Sequence, residues 1–89
     1  MSLSIVNPNV DLAETLRQAI AAAIPSKVVD VAPGSPGHFQ IRVVSDAFRG
    51  KSRLQQQQLV YGAITHLMTG ANAPVHAIDR LQTIVPDGD

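Results

Sequence analysis

The chain has 89 residues, enough for one small domain, and its 45% hydrophobic content with 16% charged residues argues against a disordered polypeptide. It contains no cysteine, so it has neither a disulfide framework nor a thiolate of its own for binding a metal. Seven basic residues balance seven acidic ones, and this zero net charge removes the simplest electrostatic reason to bind nucleic acid or a membrane surface.

Targeting and membrane segments are not expected in this sequence. No apolar run approaches the roughly 20 residues that span a bilayer. The first six residues lack both the basic region and the long apolar core of a secretory signal. We therefore expect a cytoplasmic protein with a single domain over residues 1–89, whose ordered core covers about 8–86.

The first predicted element is an amphipathic helix that begins after Asn7 and ends at Pro25. Asparagine is a favoured N-cap, and Pro8 is tolerated at the first helical position. Apolar residues then recur at three- and four-residue spacing, as on the buried face of a helix, at Val10, Ala13, Leu16, Ile20 and Ile24.

Two short strands joined by a turn are predicted next. Residues 27–32 are rich in valine, and residues 33–37 (Pro-Gly-Ser-Pro-Gly) are typical of a turn. In the second strand, 38–45, apolar and polar residues alternate, which is the pattern of a strand with one buried face. So short a connection predicts an antiparallel hairpin.

Residues 37–52 are the central stretch of the predicted fold, because their sequence predicts a strand, a tight turn and the start of a helix. The turn is indicated by Ser45-Asp46 and by Gly50. We expect this stretch to bring a histidine, the two phenylalanines and several cations close together.

A second helix is predicted from about Arg53 to Thr69, and a third strand from Val75 to Val85. Ser52 and Gln55 fit a capping box at the helix start, in which each side chain accepts a backbone N–H. The alternation of the third strand is broken, because Ile78 and Leu81 fall on opposite parities, and a β-bulge would explain this.

The predicted order is helix, strand, strand, helix, strand. The second helix is long enough to cross over, so that the third strand joins the sheet parallel to a neighbour. The sequence therefore predicts a two-layer α+β domain, with helices on one face of a three-stranded mixed sheet.

Gly50-Lys51-Ser52 follows a strand and precedes a helix, which invites a phosphate-loop interpretation. That motif also needs a glycine five residues before Gly50, where this chain has Ser45. A turn followed by a capped helix explains the same residues. Neither a serine, histidine and carboxylate set nor an acid/base pair of carboxylates stands out, so we do not expect an enzyme.

Two of the three histidines are candidate metal ligands. His38 and His76 each lie at the start of a strand, after a break that contains proline, although a single such histidine is more often an ordinary surface residue. Two imidazoles fill half of a four-ligand site, so the site would be shared with another molecule. Two histidines on one iron of a 2Fe–2S cluster, with cysteines on the other, are known chemistry. His66 lies mid-helix and is interpreted as structural or solvent-facing.

Four cations lie close together in the sequence and could contact phosphates or a protein partner. They are Arg42, Arg49, Lys51 and Arg53. The competing interpretation is a solvated rim, which the zero net charge of the chain favours.

Several short motifs of this chain together resemble the BolA-like family. The resemblance covers most of the chain, and it implies an αββαβ fold related to class II K-homology domains, usually with a further short C-terminal helix. The motifs are His38-Phe39, Val44-Ser45-Asp46, Phe48, Gly50, Leu59-Val60-Tyr61 and Val75-His76-Ala77-Ile78.

The resemblance implies, first, an adaptor that forms a heterodimer with a monothiol glutaredoxin and shares a 2Fe–2S cluster in iron homeostasis. The histidine of the family's Val-His-Ala motif corresponds to His76, and the loop ligand corresponds to His38. The partner would bring a cysteine and a bound glutathione thiolate, and Arg42, Lys51 and Arg53 would help to dock it. Alone, the chain is expected to be a monomer or a weak homodimer.

The resemblance also implies an alternative, a DNA-binding transcriptional regulator of stress response and morphology that would use the region from Gly50 to Arg53. Two departures weaken it: Gln56-Gln57 replaces a pair that often carries arginine, and the Gly-x-x-Gly loop of K-homology domains is absent. A third departure, Thr83-Ile84-Val85-Pro86-Asp87 at the end of the chain, predicts loss of the last helix. A plain interaction module with neither metal nor DNA is the third possibility.

Overall fold

The structure, a computed structural model, describes residues 8–87 and contains two α-helices and a three-stranded sheet in this range. The helices are α1 (Pro8–Ala23) and α2 (Arg53–Met68), and the strands are β1 (Val28–Pro33), β2 (His38–Val44) and β3 (Ala77–Ile84). The predicted element order and the α+β class are therefore confirmed. The N-cap predicted at Asn7 lies outside the described residues.

The strands lie in the order β1-β2-β3. β1 and β2 are antiparallel, with Val28 opposite Val44, and β2 and β3 are parallel, with Val44 opposite Ile84. A parallel pair needs a long crossover, which α2 provides. The predicted hairpin and the predicted crossover are both confirmed.

Both helices pack on one face of the sheet. In β2 the side chains of Phe39, Ile41 and Val43 are buried, whereas Gln40 and Arg42 are exposed on the opposite face. Burial of an aliphatic or aromatic side chain contributes roughly 1.5–3 kcal/mol, so this core dominates the stability. The buried core consists of Ala13, Leu16, Ile20, Ile24, Phe39, Ile41, Val43, Phe48, Val60, Ile64 and Val75.

The broken alternation of β3 is a β-bulge. Phe39 of β2 lies opposite Ile78, but the next residue, Gln40, lies opposite Arg80, so Asp79 is an extra residue without a partner in the ladder. The insertion shifts the parity of β3 and lets Leu81 pack against the core.

The ends of the elements differ from the prediction by one or two residues. β1 includes Pro33, which has no backbone N–H to donate. An edge strand tolerates a proline because one side of the strand has no neighbouring strand to accept an N–H. β3 begins at Ala77, because Val75 is a buried residue of the preceding loop and donates its N–H to the carbonyl of Leu67 (3.1 Å). α2 ends at Met68, one residue before the predicted end.

A 3-10 helix, Asp46–Phe48, connects β2 to α2 where the sequence predicts only a tight turn. The buried Ser45 hydroxyl caps it: it accepts the N–H of Ala47 (3.0 Å) and donates to the carbonyl of Pro25. Phe48 is fully buried in the core. The connection is therefore a fixed part of the fold.

The start of α2 has the predicted capping box. The Ser52 hydroxyl accepts the N–H of Gln55 (3.1 Å), and the Gln55 side chain accepts the N–H of Ser52 (3.0 Å). The neighbouring Gln56 amide donates to the carbonyl of Phe48 (3.1 Å) and accepts from the Thr83 hydroxyl (2.7 Å). Gln56 therefore ties the 3-10 helix and α2 to β3. Neither α-helix of the described range is long and apolar enough to cross a membrane.

Candidate metal-binding site at one end of the sheet

The topology brings two of the three histidines to the same end of the sheet. His38 is the first residue of β2 and lies opposite Ala77, the first residue of β3. His76 directly precedes Ala77 in the chain. Because β2 and β3 are parallel, their starting residues meet at one edge. We call His38, His76 and the turn of residues 34–37 the histidine end.

The turn before His38 follows from its sequence. The N–H of His38 donates to the carbonyl of Ser35 (2.8 Å), and Gly37 has φ +80°. A proline followed by a glycine with positive φ is typical of a type II turn, in which Pro36 presets the first central residue. The turn closes the hairpin and places His38 at the start of β2.

His76 lies directly against this turn. The carbonyl of Gly37 accepts the N–H groups of His76 (2.8 Å) and Ala77 (3.1 Å). A Cβ on Gly37 would lie only 2.6 Å from Nδ1 and 2.7 Å from Cγ of the His76 ring, so a side chain at this position would force the imidazole or the turn to move. His76 is nevertheless exposed, and its side chain is not enclosed by the core.

The His38 ring is held by the bulge of β3. Its Nδ1 lies 3.0 Å from the Oδ1 of Asp79, and about a third of the His38 side chain and half of the Asp79 side chain are exposed. The bulge moves Asp79 out of the ladder, to where it meets the first residue of β2. The His76 imidazole therefore lies against the turn, and the His38 imidazole contacts the bulge of β3.

Within residues 8–87, the two imidazoles are the nitrogen ligands that the histidine end offers, and the Asp79 carboxylate is paired with one of them. Among residues 8–87, no group of three or more His, Cys, Asp and Glu side chains has the geometry to hold a metal ion. Imidazole nitrogen suits iron and zinc, and a half-set of ligands on an accessible edge suits a site completed by another molecule. His66 is exposed on α2, as interpreted from the sequence.

The cations predicted to lie beside the histidine lie elsewhere. Arg49, Lys51 and Arg53 follow the carboxyl end of β2, and we call them the basic end. β2 runs from His38 to Val44, so the length of the strand, about 20 Å at the usual rise per residue, separates them from His38. The expectation that residues 37–52 form one cluster is therefore wrong, because an extended strand separates its two ends.

Two of the four predicted cations already have carboxylate partners. Arg42 lies on the open face of the sheet, 3.1 Å from the Asp30 carboxylate. Arg49 lies 2.8 Å from Asp46 and also donates to the carbonyl of Pro86 (3.2 Å). The hydrogen bond from Arg49 holds the pKa of the Asp46 carboxyl below its ordinary value.

Lys51 and Arg53 are exposed and form no ion pair with a described residue. They are therefore the two cations of the predicted set best placed to meet an external anion.

Sequence reasoning missed two residues of the histidine end. Pro36-Gly37 indicates a turn, but nothing in the sequence indicates the ring that packs on Gly37. No motif indicates Asp79, although the parity break between Ile78 and Leu81 points to its neighbourhood.

The fold and the histidine end together define a two-layer αββαβ domain that presents two imidazoles at the start of a parallel strand pair. The family model for BolA-like proteins matches residues 14–87, and the chain belongs to this family.

Relatives of known sequence agree with this assignment. BolA-like protein 1 of Bos taurus is 46% identical over 48 residues, which are 54% of this chain and only 33% of the bovine protein. The protein of Acinetobacter guillouiae from the rpoN-murA intergenic region is 35% identical over 65 residues, 73% of this chain and 75% of that protein. The chain thus matches only about a third of the length of its mammalian relatives.

Solved structures share the fold. The bol-like protein of Babesia bovis has a TM-score of 0.72 at 24% identity, over 96% of this chain and 91% of that one. BolA1 of Mus musculus has a TM-score of 0.69 at 26% identity, over 97% of this chain and 72% of that one. The predicted family and fold are confirmed.

Proposed function

We propose that this chain is a non-enzymatic adaptor that pairs with a monothiol glutaredoxin and contributes two histidine ligands to a shared 2Fe–2S cluster. His76 would be the principal ligand and His38 the second. The partner would supply a cysteine and the thiolate of its bound glutathione, which completes two ligands on each iron. The cluster, when bound, would link the heterodimer to iron homeostasis.

One observation carries the proposal. His38 and the residue after His76 lie opposite each other in the sheet, so two imidazoles from distant parts of the chain open at the same end. His76 is exposed, and its ring lies against Gly37. A chain without cysteine that offers nitrogen ligands at an accessible edge suits a partner that brings sulfur.

The proposal is tested by mixing the protein with a cluster-loaded monothiol glutaredoxin and recording the visible absorption and circular dichroism spectra. We expect the charge-transfer bands to change with the wild-type protein and to stay unchanged with His76→Ala. His66→Ala is the matched control, since it removes an exposed histidine from α2 and should behave as wild type. Unchanged bands with the wild-type protein, or a normal change with His76→Ala, would contradict the proposal.

The DNA-binding alternative has one observation in its favour, the exposed pair Lys51 and Arg53 at the start of α2. If both contact duplex phosphates, the slope of log affinity against log salt should decrease in magnitude by about 2 in the double variant Lys51→Ala/Arg53→Ala. Filter binding or fluorescence anisotropy across a salt series measures this slope. His76→Ala should bind as wild type, because it lies at the other end of the sheet. Negligible wild-type affinity at physiological salt would remove this alternative.

A further inference from the structure

Asp79 occupies an unusual place beside the proposed ligand His38. It is the one residue of β3 that the bulge leaves out of the ladder, and its carboxylate reaches across to a side chain 41 positions away in the sequence. Bulges often re-aim a side chain next to a functional site. A side-chain pair as exposed as His38 and Asp79 contributes little to stability, so stability alone does not account for the arrangement.

The chemistry of the two groups determines which ring nitrogen carries the proton. An ionised carboxylate only accepts hydrogen bonds, so the Nδ1 of His38, 3.0 Å from Asp79, must be the donor. In a neutral imidazole the other nitrogen, Nε2, then holds the free lone pair. Histidines that bind metals commonly donate their second N–H to a carboxylate, which fixes the tautomer and the orientation of the ring.

We propose that Asp79 is a positioning residue for His38, which holds the Nδ1–H tautomer and presents Nε2 as the nitrogen available to iron. This inference rests on the proposed function for the identity of the metal, but the tautomer is a property of the metal-free chain. Without Asp79 the ring samples both tautomers and rotates, so fewer molecules present a lone pair in the right direction.

The first test is long-range ¹H–¹⁵N NMR of the metal-free full chain at about pH 8.5, because a tautomer is defined only for the neutral imidazole. We expect His38 to be protonated at Nδ1 in the wild type and to show mixed tautomers in Asp79→Ala. Asp79→Asn should restore much of the preference, because its amide oxygen can still accept the hydrogen bond. Asp30→Ala, which removes another exposed aspartate of the sheet, is the matched control and should leave His38 unchanged.

The second test measures how fast the complex with glutaredoxin loses its cluster to a chelator. We expect Asp79→Ala to weaken retention about 10- to 100-fold with little change in unfolding midpoint, and Asp30→Ala to retain the cluster as wild type. A wild-type His38 protonated at Nε2, or equal retention with and without Asp79, would overturn the inference. If His38 has the expected tautomer but the chain never takes up a share of the cluster, the result would instead overturn the proposed function. The ligand role of His38 would fall with it.

Discussion

Replacing Gly37 by alanine should both destabilise the fold and displace the His76 ring, whereas the same replacement at Gly50 should only destabilise it. The two glycines have nearly the same backbone conformation, with φ +80° and +78°. A residue with a side chain costs roughly 1–2 kcal/mol in this left-handed region. The backbone penalty is therefore expected to be similar at both positions.

The surroundings of the two glycines differ. A Cβ at Gly37 would overlap the His76 imidazole at 2.6 Å, whereas a Cβ at Gly50 would meet no atom within 4 Å. The ring has to move, or the turn has to open and lose the two hydrogen bonds that the carbonyl of Gly37 accepts. The free energy of unfolding should therefore fall by about 1 kcal/mol more in Gly37→Ala than in Gly50→Ala, because a lost hydrogen bond costs about that much.

Urea unfolding of both variants measures the stability difference, and the NMR signals of the His76 ring report its displacement. Under the proposed function, Gly37→Ala should also reduce the spectral change with cluster-loaded glutaredoxin, and Gly50→Ala should not. Equal losses of stability together with an unmoved His76 ring in Gly37→Ala would show that the turn does not position this side chain.

The main elements of this fold can be predicted from the sequence because hydrophobic periodicity follows local geometry. The alternation of Phe39, Ile41 and Val43 requires a strand with one buried face, and the spacing of Leu16 and Ile20 requires a helix. The 3-10 helix could not be predicted in this way. It depends on the Ser45 hydroxyl finding the carbonyl of Pro25, and that contact exists only after α1 and β2 have packed together.

The candidate site was predictable in part, for a similar reason. A helical crossover makes β2 and β3 parallel, and this places His38 and His76 at one end without any knowledge of side-chain contacts. The partner of His38 depends on the register, since a bulge one residue further along would place another side chain in the position of Asp79. The cations were misplaced because residues close in sequence are far apart when a strand lies between them.

The largest loss of stability is expected for Phe48→Ala, in the short helix that the sequence did not predict. Phe48 is fully buried in the core. Truncating a buried phenylalanine costs about 3–5 kcal/mol, because the cavity left behind collapses only in part. A domain of this size has a total stability of roughly 4–12 kcal/mol, so the variant should lose at least a quarter of it and in the marginal case unfold.

Two further variants keep this prediction testable if Phe48→Ala does not fold. Phe48→Leu retains most of the apolar volume and should lose less, whereas Leu54→Ala, which truncates a side chain that is 63% exposed on α2, should stay within about 0.5 kcal/mol of wild type. Urea unfolding followed by circular dichroism measures all three. A loss below 1 kcal/mol in Phe48→Ala would mean that the connection is loosely packed. Phe48→Leu leaves Lys51, Arg53 and both histidines unchanged, so a folded variant should still change the glutaredoxin spectrum as the wild type does.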